Sequence, residues 1–127
     1  MQTAAGIQFS APDLRAELDR ISHDLTRFDE LSFGLIVMDH DATVLAYNRV
    51  ESEFSGIKQQ RILGLNFFTD VAPCTNNYLV SGRFESESTL DETIDYVFTL
   101  KMQPTKVALR MLRDERSPLQ YLAVRRR

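Results

Sequence analysis

Thr93-Ile94-Asp95-Tyr96-Val97-Phe98-Thr99-Leu100-Lys101-Met102 alternates with a period of two. Ile94, Tyr96, Phe98, Leu100 and Met102 fall on one face and Asp95, Val97, Thr99 and Lys101 on the other, as in a half-buried strand. Residues 105–112 and 118–124 are two further strand candidates, separated by the charged turn Asp114-Glu115-Arg116. Together the three predict an antiparallel meander. Upstream, residues 33–38 and 43–47 are β-prone runs on either side of a polar turn, which predicts a hairpin.

The segments between these strands carry helical signals. Residues 48–63 hold Val50, Phe54, Ile57 and Ile62 at irregular helical spacings, so short helices broken at Ser55-Gly56 are expected, ending at Gly64. Residues 65–75 are expected to form a loop or short turn projecting Cys74 inward, with Pro73 just ahead of it. Residues 80–93 are polar and acidic, compatible with an irregular helix burying Phe84 and Leu90. At the amino-terminal end, Ser10-Ala11-Pro12-Asp13 predicts a helix start with serine as N-cap. Leu14, Leu18, Ile21, Leu25 and Phe28 then recur at spacings of four and three, an apolar face that must dock on the sheet. The whole is an α+β chain of about five antiparallel strands flanked by helices. It is expected to be a single domain over residues 1–127, with a helical cap over 1–30 and a core over 31–127.

Composition narrows the function. With 127 residues, 43% hydrophobic and 26% charged, the chain can bury one core. Its net charge of −3 provides no general basic field for phosphate neutralisation, so nucleic acid is not an expected partner. Basic residues cluster late, at Arg110, Arg113, Arg116, Arg125, Arg126 and Arg127, and are expected to be simply solvated. No apolar run approaches a membrane span, and no secretory signal pattern precedes residue 10, so a cytoplasmic protein is expected. His23 and His40 stand apart from each other and from Cys74, so no metal site is expected.

By themselves the chemical candidates are ambiguous. A lone cysteine ordinarily behaves as a small buried hydrophobe. A glutamate four residues from a tyrosine, as Glu51 is from Tyr47, is commonplace.

The segment Gly64-Leu65-Asn66-Phe67-Phe68-Thr69-Asp70-Val71-Ala72-Pro73-Cys74-Thr75 changes this, because it closely resembles the chromophore-attachment segment of the photoactive yellow protein family. Phe33-Gly34, Tyr47-Asn48 followed by Glu51, and Met102-Gln103-Pro104-Thr105-Lys106 match in the same order. The resemblance spans essentially the whole chain, with one shortened turn around residues 86–89. It implies a PAS-type fold and p-coumaric acid (4-hydroxycinnamic acid) joined as a thioester to Cys74. It also implies a phenolate held by Tyr47 and Glu51, with Ser55 supporting Tyr47 where the family commonly has threonine. Ile36, Ile57, Phe67, Val71, Ala72, Pro73, Thr75, Phe98 and Met102 would line the pocket, and Met102 would assist thermal return of the pigment. The implied function is blue-light reception and not enzymatic catalysis. Trans–cis isomerisation, proton transfer from Glu51 and partial unfolding of the cap would signal from a monomer to a separate protein. One departure stands out: Ile57 occupies the place where the family has an arginine over the chromophore ring. Two other readings remain open, a chromophore-free PAS interaction or ligand-binding module and a thiol enzyme, although neither histidine lies in a recognisable relation to Cys74.

Overall fold

The computed structural model describes residues 4–100 and 103–127, the side chain of Leu100 excepted. Strands β1 (Gly34–Met38) and β2 (Val44–Tyr47) form the expected hairpin, with Ile36 opposite Tyr47. Strands β3 (Thr89–Leu100), β4 (Gln103–Asp114) and β5 (Gln120–Arg126) form the meander, and β1 pairs antiparallel with β5. The sheet order is β2-β1-β5-β4-β3.

Alternation along these strands divides the interior in two. On one face Ile36, Tyr47, Val107, Leu109, Met111 and Leu122 pack with Phe67, Phe84 and Phe98. On the other, Leu35, Val37, Ala108, Leu112, Tyr121 and Ala123 pack with Phe9, Leu14, Leu18, Ile21 and Phe28 from the amino-terminal segment. Every residue of β1 is buried, as expected of an uninterrupted apolar run covered on both sides. The amphipathic helix does dock on the sheet.

Its limits differ from those expected. Helix α1 spans Leu14–Ile21, and its N-cap is Asp13, not Ser10. The carbonyls of Phe9 and Ala11 instead accept hydrogen bonds from Arg110 Nη1 at 2.8 and 2.7 Å, which ties this stretch of turns to β4. After Ile21 the helical phase is lost. The Asp24 side chain accepts from Thr26 N–H and starts a 3-10 turn at Leu25–Glu30, which buries Phe28 but leaves Leu25 40% exposed.

Two other expectations are corrected. Residues 89–92 belong to β3 and not to a helix, since α4 ends early (Ser81–Ser86), after α2 (Arg49–Ser55) and α3 (Gln59–Ile62). Asp91 and Glu92 lie on an edge strand and find arginine partners, Arg110 and Arg83, across neighbouring elements. Likewise the late basic residues are more than a solvated tail. Arg110 is 8% exposed and holds Asp91 through two nitrogens, Arg125 lies over the Phe9 ring, and Arg126 over Phe54. Buried or stacked guanidinium groups of this kind reinforce contacts between elements that the apolar core also joins.

Candidate functional site

Tyr47 closes β2, and Asn48 caps α2 by accepting from Glu51 N–H at 3.0 Å. Glu51 and Ser55 follow at intervals of four from Tyr47, so this strand-to-helix junction turns all three inward. The Tyr47 hydroxyl donates to Ser55 Oγ at 2.9 Å, and the same Oγ accepts from Ile57 N–H at 3.2 Å. Gly56, in the left-handed conformation at φ 74°, ends the helix and allows that reversal.

Glu51 is 1% exposed, and its Oε2 is buried without a hydrogen-bond partner among the described residues. Burial pushes its carboxyl up to about 8, and the adjacent Tyr47 hydroxyl offsets this only in part. It is therefore protonated at neutral pH. Burial, reinforced by Glu51, also raises the Tyr47 phenol above its ordinary range. Two neutral O–H groups thus stand side by side in an apolar interior, one of them with an unused donor position.

Gly34 accounts for the close fit of that carboxyl. A Cβ at this position would overlap Glu51 Oε1 and lie 3.3 Å from Glu51 Cβ. Gly34→Ala is expected to cost about 1–3 kcal/mol through overpacking, read from the midpoint of urea unfolding. An unchanged midpoint would show that the carboxyl can move aside freely.

Cys74 lies in the segment that follows α3. Asn66 Oδ1 accepts from the N–H groups of Phe68 and Thr69 and starts one π-helical turn (Phe67–Val71), closed by Ala72 N–H to Phe67 O at 2.8 Å. A 3-10 turn (Pro73–Thr75) follows, in which Thr75 donates to Ala72 O through both N–H and Oγ1. The expected loop or short turn is thus two consecutive turns. Pro73 opens the second of them, where its fixed φ is preorganised, and its ring is exposed. Cys74 is a half-buried free thiol packed against the apolar cluster that contains Tyr47.

The structure gathers most of the expected pocket. Ile36, Phe67, Ala72 and Phe98 are buried in this cluster, Ile57 and Val71 pack against its edge, and Thr75 is wholly buried. Pro73 stands outside the cluster, and Met102 lies outside the described residues. Gly34, Asn48, Asn77 and Tyr96 also act in the site's construction; Gly34 and Asn48 fall within motifs of the family resemblance, whereas no sequence signal singles out Asn77 or Tyr96. Glu51 further borders a cavity of about 340 Å³ shared with Phe9, Phe54, Arg125 and Arg126, at the junction of the amino-terminal segment with α2.

Cys74 and Tyr47 border the same apolar cluster, and the neutral O–H groups of Glu51 and Tyr47 could meet an oxyanion buried beside them. Burying that anion requires donors that add no second charge, and a neutral acid beside a tyrosine supplies them. Among the described residues, no group of three or more His, Cys, Asp or Glu is placed to hold a metal ion, and no helix is long and apolar enough to cross a membrane.

Comparison with known proteins finds relatives by sequence and by fold. The chain is 40% identical over 103 residues to the photoactive yellow protein of Rhodothalassium salexigens, covering 79% of this chain and 82% of that one. Among solved structures it is similar to the photoactive yellow protein domain from the sensor histidine kinase Ppr of Rhodospirillum centenum. That similarity has a TM-score of 0.77 at 38% identity, over 88% of this chain and 99% of the other. A PAS domain of an HTR-like protein from Haloarcula marismortui shares the fold, with a TM-score of 0.65 at 14% identity over 86% of this chain and 98% of the other. No family model matches the chain.

Proposed function

The chain belongs to the photoactive yellow protein family, and we propose that this photoreceptor PAS domain carries p-coumaric acid as a thioester on Cys74 and answers blue light by moving a proton from Glu51. The observation that carries this reading is the Glu51 carboxyl, buried and neutral, with an unpartnered oxygen beside Tyr47.

When bound, the p-coumaroyl group supplies blue absorption and trans-to-cis isomerisation of its double bond. The side chains of the site do the rest. Ser55 can turn its own proton toward the Tyr47 oxygen, which frees the Tyr47 proton to face the phenol end. Glu51 donates beside it from Oε2. Ile57 gives apolar cover and carries no charge, so exclusion of water is its only contribution. Ile36, Phe67, Val71, Ala72, Phe98 and Met102 enclose the ring and tail, with Pro73 and Thr75 fixing the turn around the thioester. Met102 assists the return to the dark form.

Once isomerisation disturbs this donor pocket, Glu51 would pass its proton to the phenolate oxygen, becoming a carboxylate as the phenolate becomes a neutral phenol. Release leaves a carboxylate in the interior, at a cost of several kcal/mol against a domain stability of about 5–15 kcal/mol. That charge borders the cavity shared with Phe9, Arg125 and Arg126, so the element it loosens is the cap, residues 1–30. The loosened surface signals to a separate protein. The occurrence of a photoactive yellow protein domain in a sensor histidine kinase supports a signalling protein as the receiver. We assign the chain to the cytoplasm as a monomeric receptor.

Reconstitution of purified apoprotein with an activated p-coumaric acid derivative tests the reading. The expected result is one p-coumaroyl mass increment and a blue-region band that bleaches on illumination, with both lost in Cys74→Ser. Colour without bleaching would leave a passive binder, and absence of uptake would leave a chromophore-free PAS module.

A further inference from the structure

Three hydrogen bonds meet around the carbonyl of the cysteine. The Tyr96 hydroxyl, reaching from β3, donates to Cys74 O at 2.6 Å. Asn77 Nδ2 donates to the same oxygen at 3.1 Å and to the Tyr96 oxygen at 2.7 Å. Asn77 Oδ1 in turn accepts from Leu79 N–H at 2.9 Å and Val80 N–H at 3.3 Å. The orientation of the amide is unambiguous, since backbone N–H groups only donate and a carbonyl oxygen only accepts. Both lone pairs of Cys74 O are therefore used, and one side chain links that oxygen to the backbone that presents exposed Tyr78 and Leu79.

We propose that Asn77 and Tyr96 are positioning residues for the chromophore-bearing cysteine: together they hold the Cys74 carbonyl still, and Asn77 passes any displacement of it to Leu79 and Val80. This rests on the reading that Cys74 carries the chromophore. A clamped carbonyl cannot follow the tail when its double bond turns, so the rearrangement is forced onto the ring end, where Tyr47 and Glu51 lie. A carbonyl free to move would let the backbone absorb the turn and relax the isomerised state. The clasp thus keeps the light-adapted form strained and its return fast.

Tyr96→Phe removes one donor while keeping the ring. Asn77→Asp keeps an acceptor for Leu79 and Val80 but loses both Nδ2 donations, and its second oxygen competes for the Tyr96 proton. Asn77→Ala removes both functions.

In apoprotein, the Cys74 carbonyl carbon resonance is expected to shift in Tyr96→Phe and Asn77→Asp. The Leu79 amide should stay protected from hydrogen exchange in both, and become at least tenfold faster only in Asn77→Ala, whereas Val80 N–H also donates to Asn77 O at 3.3 Å and keeps that bond. In reconstituted pigment, dark recovery is expected to slow at least threefold in Tyr96→Phe and further in Asn77→Asp. An unmoved carbonyl resonance, or recovery within twofold of wild type in both variants, overturns the proposal. A wild-type protein that takes up no chromophore overturns it through the reading beneath it, and the apoprotein resonances tell that failure from a failure of the clasp.

Discussion

Glu51→Gln is expected to make apoprotein stability nearly flat between about pH 4.5 and about pH 8, the interval over which the wild-type chain loses stability. The sign follows from proton counting. In the unfolded chain the carboxyl releases its proton near 4.5, whereas in the folded chain burial delays release to about 8. Between those values the folded state binds more protons, so stability falls as pH rises, by at most about 1.4 kcal/mol per unit. Below the interval both states are protonated and the full stability is present; above it both are ionised and no further loss accrues. Glutamine has the same shape and no proton to release. Urea unfolding of both proteins at pH 5, 6.5 and 8 decides the matter, and parallel pH profiles would show that the folded carboxyl ionises in its ordinary range.

The same substitution separates colour from signal. In reconstituted pigment the glutamine amide still donates, so Glu51→Gln is expected to stay coloured, with a red-shifted band because a neutral amide donates more weakly than a carboxylic acid. It cannot leave a buried carboxylate. The light-driven rise in hydrogen exchange across residues 4–30 should therefore fall to a small fraction of the wild-type response. A full response in the variant would exclude proton release by Glu51 as the trigger.

What could be read from the sequence depended on whether the signal was periodic. The alternation at residues 93–102 identified a strand because one face meets the core and the other water; among the described side chains Phe98 is buried while Asp95 and Thr99 are exposed. Residues 89–92 were misread because Asp91 and Glu92 sit on an edge strand, where cross-strand arginines and not burial decide the local structure. Leu25 was placed on a buried face by a spacing that runs on through Asp24, although the Asp24 side chain starts a new turn there. At the site, Tyr47, Glu51 and Ser55 were singled out by the family resemblance and not by their spacing, which by itself is commonplace. Asn77 and Tyr96 were not, because they act on a backbone oxygen, which has no sequence signature, and Tyr96 reaches it across 22 residues.

Asn48→Ala is expected to cost about 3–5 kcal/mol of folding stability, since four buried hydrogen bonds depend on one side chain. Asn48 Oδ1 accepts from Leu35 N–H at 2.9 Å and from Glu51 N–H at 3.0 Å. Its Nδ2 donates to Phe28 O at 3.0 Å and to Phe33 O at 2.9 Å. The amide thus caps α2 directly beneath Glu51, ties that helix to β1, and grips the carbonyl of the residue whose ring is buried against Tyr121 in the cap. In alanine the N–H groups of Leu35 and Glu51 and the carbonyl of Phe33 lose this partner, while the Phe28 carbonyl keeps the Leu31 N–H at 3.3 Å, and the cost rises with each group that water cannot reach. Asn48→Asp sharpens the assignment, because it keeps both acceptor contacts and turns a carboxylate toward the Phe28 and Phe33 carbonyls. It should destabilise as well, with the added loss concentrated where the cap meets β1. If urea unfolding finds less than about 1 kcal/mol lost in Asn48→Ala, below what even one buried unsatisfied group costs, the amide is not the joint between Glu51 and the cap. If the loss is as large as expected, faster dark exchange at residues 25–31 would place the weakened contact on the same route that a carboxylate at Glu51 would disturb.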